Sequence, residues 1–233
     1  MKERGMIFNS EMVRAILDGR KTQTRRIIKN QREGVCWGVK PAQNPRCAGH
    51  THDWWLPTGT QPYAALPACP HGSIGDRIWV RETWATLGNE DGCCVDWNDN
   101  LCKGDKKSAA RIYRASCEQK PGDYGLWSIP DDADWKPYTE NEKFEGAWRP
   151  SIHMPRWASR ILLEITDVRV ERLNDISECD AKAEGAPTEC TLIGDKHYPG
   201  FRSLWKSIYG NDSWQASSWV WVIEFKRIQE TAQ

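Results

Sequence analysis

The chain has 233 residues, enough to bury a sizeable core, and its 32 Lys and Arg are matched by 32 Asp and Glu. That balance excludes a uniformly basic nucleic-acid-binding protein but leaves room for a local basic face. No apolar run approaches the ~20 residues of a membrane span. The first ten residues are charged and lack the apolar stretch of a secretory signal, so the expected setting is the cytoplasm, where thiols stay reduced. Nine cysteines, an odd number, then read as free thiols or metal ligands rather than a disulfide frame. Trp outnumbers Phe by 14 to 4. Most of these rings are expected in the core and its rim, with a few free to stack on bases.

Charge is unevenly spread. Residues 1–40 hold ten Lys and Arg against four acids, whereas residues 86–146 hold eight against thirteen. Residues 147–160 carry Arg149, Arg156 and Arg160 with no acid. The two basic stretches, brought together, would make an anion-binding face.

In chain order, Met6-Ile7-Phe8 reads as a short strand. Asn9 or Ser10 can cap a following helix whose apolar stripe is Met12, Val13, Ile16 and Leu17, and Gly19 can stop it. A basic run, Arg20 to Lys29, follows on what reads as a polar surface segment. Residues of about 30–75 are rich in Pro and Gly and poor in periodicity, so they read as an inserted, loop-rich stretch. Arg77-Ile78-Trp79-Val80-Arg81 alternates as a strand does. Residues of about 86–146 read as a second insertion with little core of its own and one strand over 110–115. Residues 160–170 are strand-like, with a break expected near Thr166-Asp167. Residues 177–184 form a short helix ending at Gly185. Phe201, Leu204, Trp205 and Ile208 form the stripe of an amphipathic helix closed by Gly210. Trp219, Trp221, Ile223 and Phe225 share one face of a last strand, with Val220, Val222, Glu224 and Lys226 opposite. The expected architecture is one α+β domain over 1–233, with five or six short strands, three helices and two insertions.

The densest chemistry lies in Gly19-Arg20-Lys21-Thr22-Gln23-Thr24-Arg25-Arg26. The plain alternative is a solvated basic turn after a helix. Gly19, Lys21 and Arg26 match the Gly-x-Lys-x-x-x-x-Arg signature of the ASCH superfamily, which this chain resembles and whose domain is related to the RNA-binding PUA fold. Gly75-Asp76-Arg77-Ile78-Trp79-Val80-Arg81-Glu82 resembles that family's second strand. Ile176-Ser177-Glu178, continuing to Glu184-Gly185, resembles its helix, and Trp221-Val222-Ile223-Glu224-Phe225 its last strand. Long phage and prophage members are similar around 148–157, from Trp148 to Trp157. The resemblance covers the chain outside both insertions and implies a PUA-like small β-barrel.

Many members of the superfamily carry Glu where this chain has Thr24. A bacterial subgroup with Thr there hydrolyses N4-acetylcytidine and releases acetate. Carried over by position, its Lys, Thr and Glu are Lys21, Thr24 and Glu184, with Glu178 and Asp180 as nearby alternatives to Glu184. The chemistry is coherent. A Thr hydroxyl needs a base to take its proton. A Lys can be that base once burial and neighbouring cations lower its pKa, and Arg20, Arg25 and Arg26 are such neighbours. A carboxylic acid can then protonate the leaving amine.

Glu82, His153, Arg156, Trp157 and Arg160 are candidates for contact with substrate or nucleic acid, since Arg and Trp in a stretch without acids can hold phosphate and stack a base. Their plain alternative is core and rim packing. Cys36, Cys47, His50, His52 and Cys69, with His71 nearby, include enough N and S donors for a structural zinc, although no Cys-x-x-Cys pair is present. Cys93, Cys94, Cys102 and Cys117 form a poorer set. Ser151 and His153 lack an acid partner for a hydrolase triad, and no P-loop, dinucleotide or His-Glu-x-x-His motif occurs. Three functions remain in view: a cofactor-free amidohydrolase of N4-acylated cytidine, a non-catalytic RNA-binding module, and a ribonuclease. The expected partner is a modified nucleoside or RNA, and no membrane.

Overall fold

The computed structural model describes residues 1–31, 37–47, 49–56, 59, 61–88, 93–98, 100–103, 107–120, 123–124 and 148–228. The fold is mixed α+β and mostly sheet. Its strands in chain order are β1 (Glu3–Ile7), β2 (Gln23–Ile27), β3 (Gly38–Pro41), β4 (His52–Trp55), β5 (Ala64–Ala65), β6 (Arg77–Arg81), β7 (Trp84–Thr86), β8 (Arg111–Tyr113), β9 (Glu118–Lys120), β10 (Asp123–Tyr124), β11 (Leu162–Arg172), β12 (Glu189–Thr191), β13 (Gly194–Lys196) and β14 (Trp219–Ile228). The helices are α1 (Ser10–Leu17), α2 (Arg114–Cys117), α3 (Glu178–Ala183), α4 (His197–Tyr209) and α5 (Asn211–Gln215). Among the described residues, no helix is long and apolar enough to cross a membrane.

The main sheet has the order β1-β6-β11-β14-β2, and three-stranded β3-β4-β5 and three two-stranded ribbons complete the pairing. The chain divides into two compact units. The first holds the described residues of Met1–Arg4, Asp18–Ile78 and Leu163–Ile228; the second holds those of Gly5–Leu17 and Trp79–Leu162.

In the first unit, the basic run becomes a strand rather than a turn. β2 pairs antiparallel with β14, so that Thr24 faces Ile223, Arg25 faces Val222 and Arg26 faces Trp221. Directly opposed residues share a sheet face. Thr24 and Arg26 therefore lie on the side of Trp221 and Ile223, while Gln23, Arg25 and Ile27 lie with Val220, Val222 and Glu224. The latter face carries the helices. Leu173, Ile176, Ala181, Ala186, Phe201, Trp205 and Trp214 pack there on Val220 and Val222. Both faces of β14 are thus buried, because it is an interior strand covered on two sides. That is why Val220 and Val222, on the strand face that also carries Glu224 and Lys226, belong to the core. The stripe of α4 buries Phe201 and Trp205, whereas Ile208 is exposed.

β11 runs unbroken through the expected split at Thr166-Asp167. The first inserted stretch is more ordered than its composition suggests, since β4 lies between β3 and β5 with all four of its residues buried. A strand buried on both faces has no alternation to read.

In the second unit, Asn9 caps α1 by accepting from the Met12 amide (2.8 Å), and Val13, Ala15 and Ile16 are buried. β6 alternates as expected, with Ile78 and Val80 buried; of these, Val80 belongs to this unit. The strand expected over 110–115 ends at Tyr113 and turns directly into α2. The described part of the second inserted stretch buries Leu87, Val95, Ala110 and Ile112 in a cluster with Trp97 and the flanking Ala85 and Trp148.

Gly200, in the first turn of α4, lies against the backbone of Pro187, where a Cβ would collide with the Pro187 carbonyl oxygen. A helical Gly→Ala change normally stabilises. Here Gly200→Ala should destabilise by about 2–3 kcal/mol, read as a lower midpoint in urea unfolding with an unchanged slope.

Candidate functional site

Lys21 precedes β2 and forms an antiparallel bridge with Glu184, reinforced by the Thr22 amide donating to the Ala183 carbonyl (2.8 Å). Glu184 is held there by α3. Ser177 caps that helix by accepting from the Asp180 amide (3.0 Å), and the Glu184 amide donates to the Asp180 carbonyl at its end (2.8 Å). The Lys21 ammonium donates to Glu184 Oε2 (2.7 Å) and to the Glu184 carbonyl (2.8 Å). Both side chains are essentially withdrawn from solvent, at 0% and 3% exposure. The expectation that Lys21 and Thr24 lie on a surface segment is therefore corrected: both are buried.

Arg25 completes the cluster. Its guanidinium reaches Glu184 Oε1 (3.2 Å), Glu171 Oε2 (2.8 Å) and, at longer range, Asp180 Oδ2 (3.7 Å). Burial pushes the Lys21 pKa down; Glu184 opposes that shift, while Arg26 and Arg25 add to it. Burial alone would raise the Asp180 carboxyl. Its hydrogen bonds from Ser177 and Gln23, with the charges of Arg25 and Arg169, instead hold it below the usual carboxylate range.

The alternatives to Glu184 have other duties. Glu178 accepts from the His197 and Tyr198 amides at the start of α4 (2.6 and 2.9 Å). Asp180 accepts from Gln23 and Arg169 (both 3.1 Å). Glu184 is the carboxylate that Lys21 touches.

Thr24 stands apart from that contact. Its hydroxyl accepts from Arg26 (3.0 Å), on the sheet face opposite Arg25, and no hydrogen bond among the described residues joins it to Lys21 or Glu184. Arg20 is exposed and pairs with Asp18 (2.8 Å). Sequence reasoning did not foresee His71 as a neighbour of these cations. Burial, with Arg26, Lys29 and Arg4, pushes its pKa down to about 4. It also did not foresee Arg169, which binds Glu171 (2.6 Å), Asp180 and Glu224. The alternation of Asp167, Arg169 and Glu171 along β11 was the available signal.

The second unit holds Glu82, His153, Arg156, Trp157 and Arg160. Glu82 is buried and receives two parallel bonds from Arg160, each 3.0 Å. Burial pushes its carboxyl up against the opposing pull of Arg160. The Arg160 guanidinium also lies over the Tyr113 ring, 4.1 Å from its centroid. Trp157 meets Trp84 edge-on at 5.5 Å, with Arg111 above its ring. Arg160 and Trp157 are thus engaged in packing, while His153 is exposed and Arg156 half-buried.

Among the described residues, no group of three or more His, Cys, Asp and Glu side chains is arranged to hold a metal ion. Cys36 lies outside them. Cys47 is exposed, and burial pushes the Cys69 thiol up. His50 bonds Asp53, and His52 meets Trp221 edge-on at 6.3 Å. Comparison with known protein families, with curated proteins and with solved structures finds no match.

Removing one partner of a buried pair leaves a charge without compensation, so Lys21→Met should destabilise by about 3 kcal/mol. Pairing it with Glu184→Leu should recover less than all of that, because Arg25 also needs the carboxylate. Denaturant melts of the single and double variants measure both. His71 supplies an acid limb. The unfolded chain takes up a proton near pH 6.5, but the folded chain does so only near 4. Stability should therefore fall as pH drops through that window, and His71→Gln should flatten the decline in melts taken across it.

Proposed function

We propose that the chain is an ASCH-like protein with a PUA-related sheet that binds RNA or a modified nucleoside and hydrolyses the amide of N4-acylated cytidine. The observation that carries this reading is the buried contact between Lys21 and Glu184, whose pKa-lowering burial favours an uncharged amine. One proton moving across 2.7 Å converts the ammonium–carboxylate pair into an amine and a carboxylic acid. The pair then contains both the base and the acid that amide cleavage requires.

In the proposed reaction, Thr24 Oγ1 bonds to the acyl carbon and its proton passes to Lys21 Nζ. The C–N bond breaks, Glu184 supplies a proton to the leaving N4 amine, and the acyl group remains as an ester on Thr24. Water then attacks that ester, releasing the carboxylic acid and returning the proton to Thr24. This sequence requires the start of β2 to rearrange as substrate enters, so that the Thr24 hydroxyl leaves Arg26 and the sheet face opposite Arg25 and reaches Lys21. Catalytic hydrogen bonds commonly tighten only in the substrate complex.

The bond from Arg26 to Thr24 favours a second reading, in which the Lys21–Glu184 pair is structural and the chain is a non-catalytic RNA-binding module. Incubation with N4-acetylcytidine and, separately, with unmodified RNA, followed by mass, divides the two. The amidohydrolase releases acetate and cytidine and leaves RNA whole. Thr24→Ala should lower acetate release at least a hundredfold, and Lys21→Arg should do the same, because Arg cannot surrender its proton at neutral pH. Turnover retained in a folded Lys21→Arg would remove Lys21 from the role of base.

A further inference from the structure

A cavity lies in the first inserted stretch, within the first unit. It encloses about 220 Å³ and is lined by Gln43, Asn44, Arg46, His50, Asp53 and Tyr63, with Pro62, Ala64 and Ala65 behind. Its floor is fixed by the three-stranded sheet, where Asp53 on β4 stands opposite Lys40 on one side and Ala65 on the other.

The polar groups in it are set unusually. The Arg46 amide donates to His50 Nδ1 (3.1 Å), so the ring proton sits on Nε2 and points at Asp53 Oδ1, 2.7 Å away. His50 thereby gives Asp53 one N–H donor, at Oδ1. The Asp53 side chain is only 8% exposed, and among the described residues no Lys or Arg pairs with it. Lys40 is committed elsewhere, its ammonium lying 4.5 Å from the centre of the Trp55 ring. A buried carboxylate without a cation is costly unless it meets N–H donors.

Three features select the ligand. The carboxylate asks for donors. Arg46, exposed at the cavity and without an ion pair among the described residues, disfavours a bare cation and suits a group with an anionic tail. The volume is smaller than that of a typical drug-sized site, enough for one planar ring system, and Tyr63 presents an aromatic side chain that is 58% exposed. A guanine base meets all three: adjacent N1–H and N2–H₂ donors for Asp53, a π-face for Tyr63 and a phosphate outside for Arg46. Cytosine and adenine each offer an amino group beside a ring nitrogen that accepts, which the carboxylate repels.

The geometry points to a guanine-nucleotide subsite in which Asp53, oriented by His50, reads the base edge while Tyr63 stacks on it and Arg46 holds the phosphate. Its ligand class rests on the RNA reading proposed above. The site is separate from Lys21 in its residues, so the two can fail independently.

Calorimetric titration of the full chain with guanosine 5′-monophosphate, adenosine 5′-monophosphate and guanosine tests it. The guanine nucleotide should bind at least tenfold tighter than the adenine nucleotide. Asp53→Asn keeps the acceptor for His50 but turns a donor toward the base edge, and should weaken binding at least tenfold. Arg46→Gln should abolish the advantage of the monophosphate over guanosine, and Tyr63→Leu should weaken both. The last two are exposed positions and keep the test valid even where Asp53→Asn melts early. Acetate release from N4-acetylcytidine should be unchanged in Arg46→Gln, so its absence in the parent chain bears on the hydrolase reading alone. Equal affinity in Asp53→Asn, preference for the cation agmatine over the nucleotide, or no nucleotide binding at millimolar concentration would overturn the assignment.

Discussion

Two cations, Lys21 and Arg25, share the carboxylate of Glu184 inside the first unit, and much of the surrounding structure follows from the need to satisfy that triad. Neither cation is accessible to water, so each must find its counter-charge in the protein. The acids come from distant segments: Glu171 from β11, Asp180 from α3 and Glu184 from the end of that helix. These contacts fix α3 against the start of β2. The Lys21–Glu184 bridge and the Thr22–Ala183 hydrogen bond add backbone constraints at the same point. The apolar cluster of Leu173, Phe201, Trp205, Val220 and Val222 then closes the same face of the sheet.

This arrangement explains why the basic run was the hardest part of the sequence to read. Gln23, Arg25 and Ile27 have the period of a strand, but a positively charged strand facing a core makes sense only once the acids that cover it are in place. Those acids lie about 150 positions further along the chain. The strong apolar patterns were legible for the opposite reason, since α1, β6, α4 and most of β14 carry their burial signal locally. β4 shows the limit of periodicity: His52, Asp53, Trp54 and Trp55 are all buried, and a run with no alternation looks like irregular chain.

The candidate site divides in the same way. Resemblance to the ASCH superfamily pointed to Lys21 and Glu184, and their contact across 163 positions is the kind of juxtaposition that no local pattern contains. The same strand register puts Thr24 with Arg26 on the other sheet face, a consequence that alternation along residues 23–26 makes readable once β2 is known to be a strand. In the second unit, Glu82 and Arg160 were read as ligand contacts; the bidentate pair between them and the Tyr113 ring beside Arg160 give both a packing duty that composition alone does not reveal.

The central claim is that burial pushes the Lys21 pKa down while the Glu184 carboxylate beside it pulls it back up. The most direct measurement is an NMR titration of the Lys21 side-chain nitrogen in the parent chain and in Glu184→Gln. The account predicts a pKa below the ordinary 10.5 in the parent, and a lower one in Glu184→Gln, because the carboxylate is the group that pulls it back up. A value at or above 10.5, or no change on removing the charge of Glu184, would contradict it.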